Sequence, residues 1–178
     1  MSDARIALRN LPLPEPHLVL LGVGIVLQAI RPLRLPVRGP LAAFGAGGTI
    51  GAAAAAIGWA TRAAGTVDMA AADRLITGGP YALTRHPMYE AWTAAFASLA
   101  ILLRNGWLAL LLPVLLALVH RDTGREDRRL RERFGAPHAE YARTVPRYVT
   151  IRFAQALRRR TSHSWRALSE SGRLESDT

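Results

Sequence analysis

Residues 88–119 read MYEAWTAAFASLAILLRNGWLALLLPVLLALV, and this stretch decides the fold class. Its first 16 residues are apolar apart from Glu90, three residues of turn type follow at 104–106, and 13 apolar residues complete it. Three residues are enough for a tight turn between two antiparallel helices. The stretch therefore predicts a helical hairpin, although each half is short for the roughly 20 residues that a membrane crossing needs.

Two further apolar runs precede the hairpin. Residues 18–30 lie between Pro16 and Arg31, and a helix starting at Pro16 is a short span whose flanking arginines extend toward the interface. Residues 40–60 carry no charge and include Gly47 and Gly51, a small-xxx-small pattern that lets helices approach closely. We therefore expect Gly47 and Gly51 to form a helix-packing face.

These runs predict an all-α, polytopic helical membrane protein. We expect four transmembrane helices, with five as the alternative, plus a cytoplasmic C-terminal helical segment. We expect residues 1–157 to form one membrane-embedded domain and 158–178 to form a disordered Arg- and Ser-rich tail. The domain divides into two N-terminal spans (1–60), a polar loop (61–87), the hairpin (88–119) and a helical cap (120–157).

The distribution of basic residues predicts the orientation of the chain in the membrane. All 23 basic residues are arginines, and 14 of them follow residue 120. Because cytoplasmic ends of membrane proteins are enriched in basic residues, we expect an integral membrane protein of the bacterial inner-membrane type with a cytoplasmic C-terminus. Nucleic acid is not an expected partner, because aromatic residues make up only 7% of the chain and do not alternate with the arginines.

Cysteine is absent from the chain. This excludes disulfides, a thiolate nucleophile and a cysteine-based zinc site. His17 and His120 have no cluster of further ligand residues around them in the sequence. The sequence therefore predicts no metal site.

Residues 75–89, LITGGPYALTRHPMY, carry one set of candidate site residues. Arg85 and His86 directly precede Pro87, which favours the first turn of a helix. A helix N-terminus has free N–H groups and partial positive charge, so this arrangement suits a carboxylate or a phosphate. Tyr81 and Tyr89 add ring faces and hydroxyls. The alternative interpretation is an interfacial loop in which Arg and Tyr anchor headgroups.

A second set lies in 121–147. If 121–134 is helical, Asp122, Glu126 and Leu130 share one face. Phe134-Gly135, His138, Tyr141 and Val145-Pro146-Arg147 follow. On its own, this segment is equally typical of a solvated amphipathic helix on the membrane surface.

The order of these motifs carries a resemblance. L-x-T-x-G-P-Y at 75–81 is followed by R-H-P-x-Y at 85–89, an apolar hairpin, E-D-x-x-L at 126–130, F-G, and V-P-R. Over residues 73–148 the chain resembles the isoprenylcysteine carboxyl methyltransferase and phospholipid methyltransferase superfamily of integral membrane enzymes. It departs from that pattern at Ala91, where many members have Gly, and at Asp127, where the usual residue is Glu.

The resemblance implies a cofactor, S-adenosylmethionine, and a lipophilic substrate of the isoprenoid or lipid class that enters from the bilayer. It assigns cofactor binding to seven residues, with Arg85 positioning the loop: Leu75, Ile76, Tyr81, His86, Pro87, Tyr89 and Glu126. Membrane lipids are the other expected partners, and the sequence does not give the oligomeric state.

Two residues are candidates for catalysis. Glu90 is an acidic residue one turn into an apolar helix. Placing a charged side chain in a membrane helix costs free energy, so such a residue is typical of a functional site. The alternative interpretation is that Glu90 lies at the membrane interface, where its carboxylate pairs with water or with Arg85. In the isoprenylcysteine branch of the family, an arginine four residues before the first motif Glu positions the substrate carboxylate. This chain has Asp122 at that position, and Arg121 is the residue next to it.

The sequence leaves two other functions open. One is a membrane reductase that uses NADPH, related to the sterol reductases, which need no glycine-rich dinucleotide motif. The other is a non-catalytic lipid-binding membrane protein, which the departures at Ala91 and Asp127 keep under consideration.

Overall fold

The computed structural model describes residues 15–65 and 74–149, and their secondary structure is helical. The all-α prediction is confirmed for these residues, whose one β-bridge is the isolated pair Arg34–Asn105. The predicted tail at 158–178 lies outside the described residues. The helices are α1 (Glu15–Ile30), α2 (Pro40–Ala64), a 3₁₀ turn (Gly79–Ala82), α3 (Pro87–Leu102), α4 (Gly106–Phe134) and α5 (Ala136–Thr144).

Prolines and caps set the helix boundaries. Pro40 and Pro87 stand at the first positions of α2 and α3, where a missing N–H costs nothing. Asn105 caps α4 by accepting a hydrogen bond from the Leu108 N–H at 3.1 Å. Gly135 separates α4 from α5 with a φ of 56°, a conformation that favours glycine.

The connection between α1 and α2 (31–39) and the turn between α3 and α4 (103–105) meet at one end of the helix bundle. The Gly106 N–H donates to the Leu33 carbonyl at 2.7 Å, and the Leu35 N–H donates to the Arg104 carbonyl at 3.0 Å. A Cβ at position 106 would lie 2.9 Å from the Leu33 oxygen, so only glycine allows this approach. The start of α3 and the end of α4 consequently lie at the opposite end.

The core lies where α1, α3 and α4 meet. Its buried centre consists of Phe96, Ala100, Leu108, Leu115 and Val119. Neighbouring helices pack in the order α2, α3, α4, α1, which leaves α3 in contact with all three others. The predicted hairpin is therefore the centre of the molecule.

The packing face of α2 differs from the predicted one. Its buried residues are Ala46, Ala53, Ala60 and Ala64, the first three of which recur every seven residues. By contrast, a Cβ added at Gly47 or Gly51 would meet nothing within 4 Å. Alanines at this spacing already let α2 approach α3 closely, so the glycines are left on the outer surface.

Two helices, α2 and α4, are long and apolar enough to cross a membrane, and α1 is a shorter apolar helix. With 16 residues each, α1 and α3 are about 24 Å long, less than the roughly 30 Å of a hydrocarbon core. The count of four or five spans therefore stays a prediction. Large apolar side chains face outward, including Leu41 at 86% and Phe44 at 78% exposure, as is typical of contact with lipid.

The hairpin extends further than its apolar pattern. Residues 106–119 form the apolar part of α4, and the same helix continues without a break through residues 120–134, which we call the charged part of α4. The predicted boundary between hairpin and cap therefore falls inside a continuous helix. This continuity carries the charged part beyond the apolar bundle, toward the segment that precedes α3.

Candidate active site

Three segments meet at the end of the bundle where α3 begins: the loop 74–86, the charged part of α4, and α5 with residues 145–149. The Arg85 N–H donates to the Pro146 carbonyl at 3.0 Å. The Tyr141 hydroxyl donates to the Tyr81 carbonyl at 2.7 Å. These bonds join residues some 60 positions apart in the sequence, and they hold the two sets of motif residues together.

His86 lies at the centre of this meeting point. It precedes α3 as the N-cap residue and is 3% exposed. Its Nε2 lies 3.3 Å from Asp127 Oδ1 and its Nδ1 lies 3.6 Å from Glu126 Oε2. Burial alone would lower the pKa of His86, but hydrogen bonds to Asp127 and Glu126 outweigh it and raise the pKa. The imidazolium form is therefore favoured between the two carboxylates.

Asp127 has more partners than any other residue here, and we call the group Arg85, His86, Asp127 and Arg147 the Asp127 network. Asp127 Oδ1 accepts from Arg85 Nη1 at 2.8 Å, and Oδ2 accepts from Arg147 Nε at 2.9 Å and Nη2 at 2.7 Å. Burial would raise the pKa of Asp127, but His86 and Arg147 lower it below its usual range. The carboxylate is thus ionised and fully occupied by protein partners.

Glu126 differs from its neighbour, because 47% of its side chain is exposed. Its charge acts on both Tyr81 and Tyr89. The rings of His86 and Tyr89 meet edge to face at 6.0 Å. Burial and then the Glu126 charge raise the pKa of Tyr81, so its hydroxyl stays protonated. The structure thus brings together four of the predicted cofactor-binding residues, with Tyr81, His86 and Tyr89 around the accessible carboxylate of Glu126.

The remaining predicted cofactor-binding residues lie on the approach to α3. Leu75 and Ile76 are half-buried in a non-helical segment, and Pro87 is buried in the first turn of the helix. Between them, Gly79 has a φ of 62° and packs against the end of α2, where a Cβ would lie 2.9 Å from the Ala63 Cβ. The glycine therefore fixes the path of the loop.

Glu90, a predicted catalytic residue, joins the start of α3 to the C-terminal segment. Both carboxylate oxygens accept from the Val149 N–H at 3.1 Å, and Oε1 also accepts from the Thr84 hydroxyl. That hydroxyl also lies 2.8 Å from the Arg147 carbonyl. We call Thr84, Glu90 and Val149 the Glu90 clamp. Its polar groups hold the loop and the C-terminal segment in register.

Arg121, the other predicted catalytic residue, lies outside this cluster. Its Nε is 3.1 Å from Asp122 Oδ1, and its side chain is 54% exposed. Asp122 also pairs with Arg125 at 3.6 Å, and its charge acts on Tyr89. The structure therefore places the acidic residue, rather than Arg121, beside the tyrosine.

Sequence reasoning missed the partners of Asp127 and Glu90. Arg147 belongs to the V-P-R motif, so the motif could have pointed to it, whereas no pattern distinguishes Thr84. His138 also adjoins the network, fully buried with Nε2 3.9 Å from Asp127 Oδ1. Although His and acidic side chains lie close together here, the described part of the chain has no group of three or more His, Cys, Asp or Glu side chains that could hold a metal ion.

Comparison with known proteins gives the family. The phospholipid methyltransferase family matches residues 38–136, which include α2, α3 and α4 with the whole E-D-x-x-L motif. No curated protein and no solved structure gave a match. Because the matched segment covers more than half of the chain, the protein belongs to the phospholipid methyltransferase family, whose members are membrane-associated methyltransferases.

Proposed function

We propose that this protein transfers a methyl group from S-adenosylmethionine to a lipophilic acceptor of the lipid or isoprenoid class. The cofactor would lie among Tyr81, His86, Tyr89 and Glu126, with Leu75 and Ile76 along its apolar side. Family membership favours this activity over an NADPH-dependent reductase or a non-catalytic lipid-binding protein.

One observation carries the proposal: Glu126 is an accessible carboxylate beside two tyrosines and a buried histidine whose pKa is raised by the neighbouring carboxylates. The cofactor bears cationic ammonium and sulfonium groups together with an anionic carboxylate. Glu126 can accept hydrogen bonds from the ammonium or the ribose hydroxyls. The start of α3 offers N–H groups and positive charge to the carboxylate, and the rings of Tyr81 and Tyr89 suit the adenine.

The cofactor would supply the electrophilic methyl group, so the protein needs neither a covalent intermediate nor a metal. Its residues need to orient the reactants and exclude water. The Asp127 network suits the first task, because it fixes His86 between α3 and α4. The Glu90 clamp supports the same arrangement by holding the C-terminal segment over the start of α3.

The acceptor would enter sideways from the bilayer, while the charged cofactor enters from water. The outward apolar side chains of α2 and α4 support contact with lipid. The distribution of arginines supports a cytoplasmic location for the site. In a four-span topology, the N-terminus, the loop 61–87 and the C-terminal segment lie on the same side of the membrane as the site. These segments carry 2, 3 and 14 arginines, and basic residues are enriched on the cytoplasmic side. We accordingly propose an inner-membrane protein with a cytoplasmic C-terminus.

Calorimetric titration of the detergent-purified protein tests the cofactor. S-adenosylmethionine should bind and NADPH should not. Glu126→Gln should weaken S-adenosylmethionine at least tenfold, because it removes a charged acceptor that is half-exposed and outside the Asp127 network. Glu132→Gln, an exposed position on the same charged part of α4, serves as the matched control and should leave the affinity within twofold.

Two results would contradict the proposal. Binding of NADPH in place of S-adenosylmethionine would indicate a reductase. Equal affinity in wild type and Glu126→Gln would place the cofactor elsewhere, provided that both proteins show the same thermal unfolding midpoint.

A further inference from the structure

A cleft of about 250 Å³ opens beside the Asp127 network, between the charged part of α4 and the C-terminal segment. On α4, its lining positions 124, 127, 128 and 131 follow the spacing of a single helix face. Glu126 is not among the lining residues, so the cleft is separate from the proposed cofactor site. Its lining consists of Arg85, Gly124, Asp127, Arg128, Arg131, Ala142 and Arg147.

The cleft is strongly cationic. Four arginines face one carboxylate, and Asp127 already accepts hydrogen bonds from two of them, Arg85 and Arg147. Neither Arg128 nor Arg131 has an ion-pair partner within residues 15–65 and 74–149, and the buried Nε of Arg85 has no hydrogen-bond partner there. The lining thus keeps an excess of three positive charges and unused N–H donors.

The position of the cleft relates it to the membrane surface. Its lining on α4 begins at Gly124, five residues beyond Val119, where the apolar part of the helix ends. At 1.5 Å per residue, this is about 7.5 Å from the edge of the apolar part. The headgroup layer on each side of a bilayer is some 5 to 8 Å thick. If the apolar part of α4 ends at the edge of the hydrocarbon core, the inner end of the cleft lies at the depth of the lipid phosphates.

We propose that this cleft binds the phosphate group of an anionic membrane lipid. Guanidinium groups match phosphate oxygens in geometry and charge. An anionic headgroup fits better than a zwitterionic one, because the one carboxylate of the lining is occupied and cannot accept an ammonium. This site is additional to the proposed cofactor and acceptor sites, and its occupancy does not depend on methyl transfer.

The test measures binding of dioctanoyl phosphatidic acid to the full chain in a maltoside detergent by calorimetry. The variant Arg128→Gln/Arg131→Gln removes two cleft charges at exposed positions and should weaken binding at least tenfold. Arg129→Gln/Arg133→Gln removes the same charge from exposed positions outside the cleft and should change the affinity less than twofold. Dioctanoyl phosphatidylethanolamine should bind the wild type at least tenfold more weakly than phosphatidic acid does.

Three outcomes would overturn the proposal. Equal weakening in both double variants would show general attraction to a basic helix rather than a site. Equal affinity for phosphatidylethanolamine would remove the preference for an anionic headgroup. Inorganic phosphate binding as tightly as phosphatidic acid would make the ligand a soluble phosphate rather than a lipid. S-adenosylmethionine titrated into the cleft variant reports separately on the cofactor site, because Glu126 remains intact.

Discussion

The body and the first turn of α3 form two very different contacts. Along its body, α3 packs against α2, whose buried residues are all alanines. Directly before its first turn, Arg85 and His86 pair with Asp127 of α4, and Arg147 from the C-terminal segment completes the network. The same helix is thus held by the fit of small apolar side chains at one place and by charged hydrogen bonds at another.

The difference shows how each contact responds to change. The stability of an apolar contact between small residues depends on side-chain volume, because a close-packed interface has no space for added atoms. The stability of a buried charge network depends on the presence of every partner, because removing one leaves the others unpaired and poorly solvated. Size changes should therefore damage the α2–α3 contact, whereas changes that keep size but remove charge should damage the Asp127 network.

The largest effect is expected from Asp127→Asn. This substitution keeps the shape of the side chain but removes the charge that Arg85, His86 and Arg147 share. Breaking a buried ion pair costs about 3–5 kcal/mol, and we expect about 3 kcal/mol because Arg147 is partly exposed. Chemical unfolding in detergent should show this loss, and calorimetry should show that S-adenosylmethionine no longer binds.

Asp122→Asn is the matched control, five residues earlier on the same helix. Asp122 pairs with Arg121 and Arg125, whose side chains are both more than half exposed, so the pair is well solvated. The control should change the free energy of unfolding by less than about 0.5 kcal/mol. If both variants lost the same stability, the Asp127 network would be no more than a surface ion pair.

Ala53→Leu should have the next largest effect, on the other contact of α3. Ala53 is 5% exposed, so three added carbons would press into the α2–α3 interface and cost about 1–3 kcal/mol. The neighbouring Ala54 is exposed, and Ala54→Leu should be nearly neutral. Thermal unfolding in one detergent compares them directly, and equal midpoints would mean that α2 is only loosely attached to α3.

Much of the fold follows from the sequence, because prolines and apolar runs mark the starts of α2 and α3 and the turn at 104–106. The length of α4 does not follow, since its apolar pattern stops at residue 119 while the helix continues over charged residues. The buried face of α2 was also missed. Alanine is too common in the run 40–60 to show which register meets α3.

The candidate site was predicted in part. The family resemblance implied that Tyr81, His86, Tyr89 and Glu126 belong to one cofactor site, and the structure places them in one cluster. Which of two adjacent acids is occupied, Glu126 or Asp127, depends on the angle at which α4 passes the loop, and sequence spacing does not give that angle. Contacts such as Glu90 with Val149 join distant positions with no shared periodicity, so no pattern reveals them.

The smallest expected effect comes from the Glu90 clamp, which borders the charged contact. Glu90→Gln keeps one oxygen acceptor for the Val149 N–H but loses the charge, and a hydrogen bond to a neutral group is weaker by about 1 kcal/mol. If the clamp acts by positioning, turnover should fall about fivefold while the affinity for S-adenosylmethionine is unchanged. The measurement is a methyl-transfer assay on lipid extract, paired with calorimetry.

Thr84→Val distinguishes positioning from direct contact with the acceptor. Thr84 donates to Glu90 and lies against the Arg147 carbonyl, so its loss should reproduce the fall in turnover. The double variant should then be no worse than the more damaging single variant, because both remove the same clamp. If Thr84→Val left turnover intact while Glu90→Gln abolished it, the carboxylate would act on the acceptor itself, as its place in an apolar helix first suggested.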